Sequence, residues 1–217
     1  MLSCDERPQL YGGISSQRRS ASGSKVSNGS LGVPCHRHIW IITGPAGCGK
    51  STVAQFLAES LHLPFVEGDE FHPQSNIEKM REGIALTDAD RWDWLVLLRQ
   101  KAVERLMGAA STGVVLTCSA LKRKYRDVIR IAAYNDHDLI VHFIYLRADE
   151  EVLMQRVKAR KGHFMKHAMV QSQFRSLEEP ESDEKDSLSV DVTSNTMPQV
   201  QRETLRLVQD VLAHDNL

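Results

Sequence analysis

The sequence predicts a three-layer α/β domain built on a five-stranded parallel sheet, and two observations carry that prediction. Strand-like apolar runs alternate with helix-like periodic segments along most of the 217 residues, as they do where helices cover both faces of a parallel sheet. Residues 44–51, Gly-Pro-Ala-Gly-Cys-Gly-Lys-Ser, complete a GxxxxGK(S/T) phosphate-binding loop between one such strand and one such helix.

The elements follow in order. The apolar run Ile39-Trp40-Ile41-Ile42 reads as a buried strand over 38–43. A helix over 50–62 follows from Ala54, Leu57, Ala58 and Leu61 at the i, i+3, i+4, i+7 spacing. Further strands are expected near 64–67, 113–118, 139–146 and 188–192, and helices near 75–82, 90–110, 122–134, 149–160 and 167–177. A last helix over 198–213 shows Val200, Thr204, Leu207, Val208 and Val211 on one face, with Pro198 near its start. No internal repeat is visible.

Composition narrows the class. An apolar content of 41% supports one core, and a formal charge of −1 gives no general attraction for nucleic acid or anionic membrane. No run approaches the length of a membrane helix. The cysteines at 4, 35, 48 and 118 lack CxxC spacing and read as reduced thiols of a cytoplasmic protein. Residues 1–36 hold eight Ser and five Gly without period and are expected to be a disordered tail. Their arginines hint at a mitochondrial presequence, but Asp5 and Glu6 count against one. The folded domain is expected over 37–217.

The loop Gly44, Pro45, Ala46, Gly47, Cys48, Gly49, Lys50, Ser51, continued by Thr52, points to ATP and Mg²⁺. Its glycines let backbone N–H groups turn toward phosphate oxygens, and the helix N-terminus adds its dipole. Lys50 is placed for the β- and γ-phosphates and the Ser51 hydroxyl for Mg²⁺.

Two stretches, 68–91 and 158–186, are too polar for a core and are expected to carry substrate contacts. Glu67 and Asp69 fall where a strand ends, at the ligand crevice of open α/β sheets. A carboxylate there is suited to hold Mg²⁺ through water, Glu67 being the better placed, or to take a proton from an attacking hydroxyl. A solvated turn is the alternative. Asn76 and Lys79 share a helix face. Lys122 and Arg126 form an i, i+4 basic pair on the first turns of a helix, against its dipole. An anionic ligand would explain that placement; a salt bridge to Asp127 or a neighbour is the alternative. Arg156 and Arg160, again four apart, lead into Lys161-Gly162-His163-Phe164 and look like the start of a lid over about 161–180 that closes on the triphosphate.

Together these blocks resemble the gluconokinases of the small P-loop type, relatives of shikimate and adenylate kinases. The resemblance spans about 38–214. It rests on the phosphate loop, Gly-Asp-x-x-His-Pro (68–73), Asn-Ile-Glu-Lys-Met (76–80), Asp-x-Asp-Arg (88–91), Cys-Ser-Ala-Leu-Lys (118–122) with Tyr-Arg (125–126), Lys-Gly-His-Phe (161–164) and Ser-Gln-Phe-x-x-Leu-Glu-x-Pro (172–180). Asp93 departs from the pattern, which usually has Pro there.

The resemblance implies a P-loop kinase fold with a helical substrate-binding insert and a lid, and ATP-dependent phosphorylation of D-gluconate at its 6-hydroxyl. It implies Lys50, Asp69 and Arg126 as catalytic residues, with Asp69 on the attacking hydroxyl. It puts Lys79, Arg91, Lys122 and Arg126 on the carboxylate or the transferring phosphate, and His72 and Asn76 on the polyol. Ser119 and Gln173 join the substrate contacts, Arg156 and Arg160 clamp the nucleotide, and 190–198 passes the adenine. Members commonly form homodimers, though no residue pattern here signals one. A kinase of another acceptor (shikimate, a nucleoside monophosphate, another sugar acid) and a nucleotide-binding module without turnover remain as alternatives.

Overall fold

The computed structural model describes residues 36–108, 111–134, 136–159 and 167–215. The expected tail up to residue 35, Arg160 and the first part of the expected lid, 161–166, lie outside the described residues. The elements run β1 (Arg37–Thr43), α1 (Lys50–Leu61), β2 (Phe65–Val66), α2 (Gln74–Glu82), α3 (Trp92–Gly108), β3 (Gly113–Thr117), α4 (Arg123–Arg130), β4 (Leu139–Arg147), α5 (Glu150–Ala159), α6 (His167–Ser176), β5 (Ser187–Asp191) and α7 (Met197–Asp215). Short 3₁₀ turns cover Gly68–Phe71 and Ile131–Ala133.

All five strands are parallel, in the order β2-β3-β1-β4-β5. The central strand β1 shows why both faces are covered. Ile39 and Ile41 pack with Trp94, Leu95 and Leu98 of α3 and Ile129 of α4. Trp40 and Ile42 point the other way, into Val53 and Leu57 of α1 and Val200 and Val208 of α7. The two-residue period of a strand thus feeds two cores. Each fully buried side chain of this size stabilises by about 1.5–3 kcal/mol.

The sequence pattern sets element ends to within a residue or two except at the end of α4, and three local differences have physical reasons. The strand expected over 64–67 shrinks to Phe65–Val66, since β2 is an edge strand whose open side has no ladder partner among the described residues. The helix expected through 134 ends at Arg130 and tightens into a 3₁₀ turn, closed by the Tyr134 N–H donating to the Ile131 carbonyl. His36 belongs to the fold, not the tail: its backbone N–H and ring meet the Asp215 carboxylate at 3.1 and 2.5 Å. Asp93 falls in the first turn of α3, where the helix dipole favours a carboxylate.

Candidate active site

The phosphate loop joins β1 to α1 at the carboxyl edge of the sheet. Gly44, Gly47 and Gly49 take φ of +143°, +86° and +100°, backbone that a side chain would strain. Gly49 caps α1 without a side-chain hydrogen bond, so the first N–H groups of the helix are left for a ligand. Lys50 Nζ donates to the carbonyls of Gly44 and Pro45 at 3.0 and 3.2 Å. The Ala46 N–H donates to Gln173 Oε1 of α6 at 2.7 Å. Cys48 is buried in the loop, and burial pushes its thiol pKa up; Cys118 is likewise pushed up to about 12. Both are inert packing groups.

Asp69 reaches the same edge by a tight approach of two backbones. A Cβ on Gly68 would lie 2.0 Å from the Thr117 carbonyl at the end of β3. Gly68 is also held from both sides, its N–H donating to Thr117 Oγ1 and its carbonyl accepting from Trp94 Nε1, each at 2.9 Å. The next residue, Asp69, lines a cavity of about 340 Å³ with Lys50, His72, Arg91, Ser119 and Gln173. Ile77, Met80, Leu86 and Met169 form its apolar wall. On the other side of the loop a second cavity of about 370 Å³ is lined by Gly47, Gly49, Arg156, Val192, Thr196 and Met197. Arg156 is fixed there by donating to the Val192 carbonyl at 2.7 Å.

Several expected contacts are placed elsewhere. Arg126 is 1% exposed, and its guanidinium grips both oxygens of Glu184 at 2.7 and 2.5 Å and donates to the carbonyls of Ala120 and Glu178. It does not line the cavity. Its placement against the helix dipole is explained by Glu184, not by a ligand. Lys122 pairs with Asp88 at 2.8 Å and Lys79 with Asp90 at 2.6 Å. Asn76 is buried and donates to the Asp90 carbonyl at 2.7 Å and to His72 Nδ1 at 3.4 Å, so it supports the site from behind. Glu67 accepts a hydrogen bond from Thr117 and lines a separate groove with Lys101 and Arg105; it does not line the cavity.

Electrostatics separates the polar groups. Burial drives the His72 imidazole down to about 4, with Asp69 opposing and Arg91 assisting, and its ring stacks on Trp94 at 4.0 Å. His72 is therefore neutral near pH 7. The hydrogen bonds from Lys122, Lys124 and Tyr125 hold the Asp88 carboxyl well below the usual carboxylate range.

The apolar wall, Arg81 and Ser172 are the contacts that sequence reasoning passed over. Ile77 and Met80 sit three apart, a stripe on the otherwise polar α2 that could have marked one side of the cavity. Met169 and Ser172 carry a similar signal on α6.

This sheet order, the strand–loop–helix and a carboxylate lining one cavity with the loop lysine define a P-loop kinase. The AAA domain family profile matches residues 39–180. The chain is 42% identical over 177 residues to a probable gluconokinase of Schizosaccharomyces pombe, covering 82% of this chain and 91% of the relative. It is 44% identical over 155 residues to the thermoresistant gluconokinase of Escherichia coli, covering 71% and 85%. The crystal structure of a gluconokinase from Sinorhizobium meliloti superimposes with a TM-score of 0.71 at 38% identity, covering 83% and 96%. The chain belongs to the gluconokinase family.

Proposed function

We propose that the chain transfers the γ-phosphoryl group of ATP to the 6-hydroxyl of D-gluconate, giving 6-phospho-D-gluconate and ADP and feeding the pentose phosphate pathway. Family membership supports the acceptor. The observation that carries the chemistry is that Lys50, on the phosphate loop, and Asp69, after β2, line one cavity. The reading includes a cytoplasmic enzyme and a homodimer.

In this reading the triphosphate lies along the loop with its adenosine end in the Arg156–Val192–Thr196 cavity. Lys50 exchanges the Gly44 and Pro45 carbonyls for phosphate oxygens, and the Ala46 N–H exchanges Gln173 for another. The substrate hydroxyl enters beside Asp69, which orients it in line. Its oxygen forms the new bond to phosphorus as the bond to the bridging oxygen of ADP breaks, and the Asp69 carboxylate takes the proton.

The donor set suits Mg²⁺. Among the described residues no cluster of three His, Cys, Asp or Glu could cage a metal, and Ser51 is exposed in the first turn of α1. Ser51 would hold Mg²⁺ together with phosphate oxygens and water, and when bound the ion would neutralise charge on the transferring group. The test is an ADP-release assay across D-gluconate, related sugar acids, shikimate and nucleoside monophosphates. Gluconate should dominate, and equal turnover of another acceptor would remove the assignment.

A further inference from the structure

We infer that Arg91 receives the carboxylate of the acceptor, beside a His72 Nε2–H that Asn76 holds in that tautomer. This rests on the sugar-acid reading above and deepens it, because the structure treats the four cations expected on the carboxylate or the phosphate differently, and Arg81, which also lines the cavity, is an exposed side chain of α2.

Three of the four are already matched. Arg126 is closed in the interior on Glu184, while Lys122 and Lys79 are neutralised by Asp88 and Asp90. Arg91 is not. It is 8% exposed, lines the cavity, and makes no side-chain hydrogen bond or ion pair with any described residue. Its contact is the face of the Tyr125 ring, 5.6 Å from guanidinium carbon to centroid. That stacking orients the fork but satisfies none of its N–H donors. A buried, unpaired guanidinium is costly unless an anion completes it, and its planar fork matches a carboxylate in two parallel hydrogen bonds.

His72 supplies the neighbouring donor, and its tautomer follows from partners. Asn76 Nδ2 must be the amide nitrogen, since it lies 2.7 Å from the Asp90 carbonyl, which only accepts. The same nitrogen donates its second hydrogen to His72 Nδ1 at 3.4 Å. With Nδ1 accepting, the ring proton of neutral His72 sits on Nε2. His72 lines the cavity alongside Arg91, so the corner offers a charged fork and a neutral donor. Asn76, with no exposure to the cavity, is a positioning residue.

The experiment compares D-gluconate with D-gluconamide, a neutral acceptor of the same chain and hydroxyls. Wild type should prefer gluconate by roughly 10²-fold in kcat/KM, the scale of hydrogen bonds to a charged group. Arg91→Ala should lose most of that preference through KM for gluconate, keep its turnover of gluconamide within a few-fold, and regain gluconate turnover with added guanidinium. Arg91→Lys, which keeps the buried stem and charge but not the fork, should fall between the two and guards against a folding defect. Nitrogen-15 spectra should show His72 protonated at Nε2, and a mixture of tautomers in Asn76→Ala. If Arg91→Ala keeps the preference, or loses turnover of both acceptors equally, the assignment is overturned although gluconate remains the substrate. A His72 proton on Nδ1 overturns the role of Asn76. A wild type that does not turn over gluconate fails the sugar-acid reading itself, a separate outcome.

Discussion

The Gln173 side-chain oxygen accepts the Ala46 N–H at 2.7 Å, so a helix 127 residues away in sequence touches the phosphate loop at a group that phosphate would otherwise use. In the proposed reading nucleotide takes the Ala46 N–H and breaks this bond, whose net worth is about 0.5–1.5 kcal/mol. Gln173→Ala should therefore bind a non-hydrolysable ATP analogue roughly 2–10-fold more tightly in the absence of acceptor, by that energy. Its KM for gluconate should rise, since Gln173 also lines the acceptor cavity. Calorimetric titration of both variants checks it; weaker nucleotide binding in Gln173→Ala would contradict it.

Arg126 and Glu184 are expected to hold the crossover before β5 onto α4, with Arg130 as a second partner of the carboxylate at 2.6 Å. Removing one partner of a buried pair costs about 3–5 kcal/mol, and Arg130 should keep the loss at the lower end. A domain of this size loses roughly 2–4 °C of Tm per kcal/mol, so Arg126→Met should melt roughly 6–12 °C lower. Turnover at low temperature should stay within a few-fold. Lost kcat at an unchanged Tm would return Arg126 to the substrate.

Stability should fall in two acid windows. Burial pushes His142 and His72 down to about 4 from 6.5, His38 adding to the effect at His142. A histidine whose folded pKa is depressed contributes fully above the unfolded value, and that contribution drains away as pH falls from 6.5 toward 4. Burial raises the Glu184 carboxyl, but hydrogen bonds from Arg126 and Arg130 outweigh it and hold it at about 2. Its contribution is present above 4.5 and is lost between there and about 2. Thermal melts from pH 7.5 to 3 should show both declines, and His142→Gln should flatten only the upper one. An upper slope unchanged by that substitution would be the contrary result.

Lys50→Ala should reduce kcat by on the order of 10²–10⁴, the usual loss for a group that stabilises developing charge. The fold should persist, since the amine's partners are two loop carbonyls and no buried carboxylate. Steady-state kinetics with a melting curve separate the two effects; near-normal turnover would mean the loop lysine does not act on phosphate.

Contiguous signals carried what was legible in the sequence. The phosphate loop, β1 and α1 are neighbours in the chain, and periodicity alone places Ile41 and Leu57 in the core. The partners of cations were not legible, because the pairs are distant: Arg126 meets Glu184 58 residues on, and Lys122 meets Asp88 34 residues back. Spacing on a helix shows that two charges share a face and says nothing of what faces them. The roles of Glu67 and Asp69 separate for a similar reason. Thr117, on a different strand, engages Glu67, while the close backbone approach at Gly68 carries Asp69 past it.

The most direct test is therefore the pair of carboxylates after β2. Asp69→Asn keeps shape and hydrogen bonding but cannot take the hydroxyl proton, so kcat should fall by roughly 10²–10⁴ while ATP-analogue affinity stays near wild type. Glu67→Gln, whose carboxylate faces Thr117 and a separate groove, should lose far less. Measured side by side with gluconate as acceptor, a dead Asp69→Asn with intact nucleotide binding is the predicted result. Asp69→Asn within a few-fold of wild type beside an inactive Glu67→Gln would contradict the account.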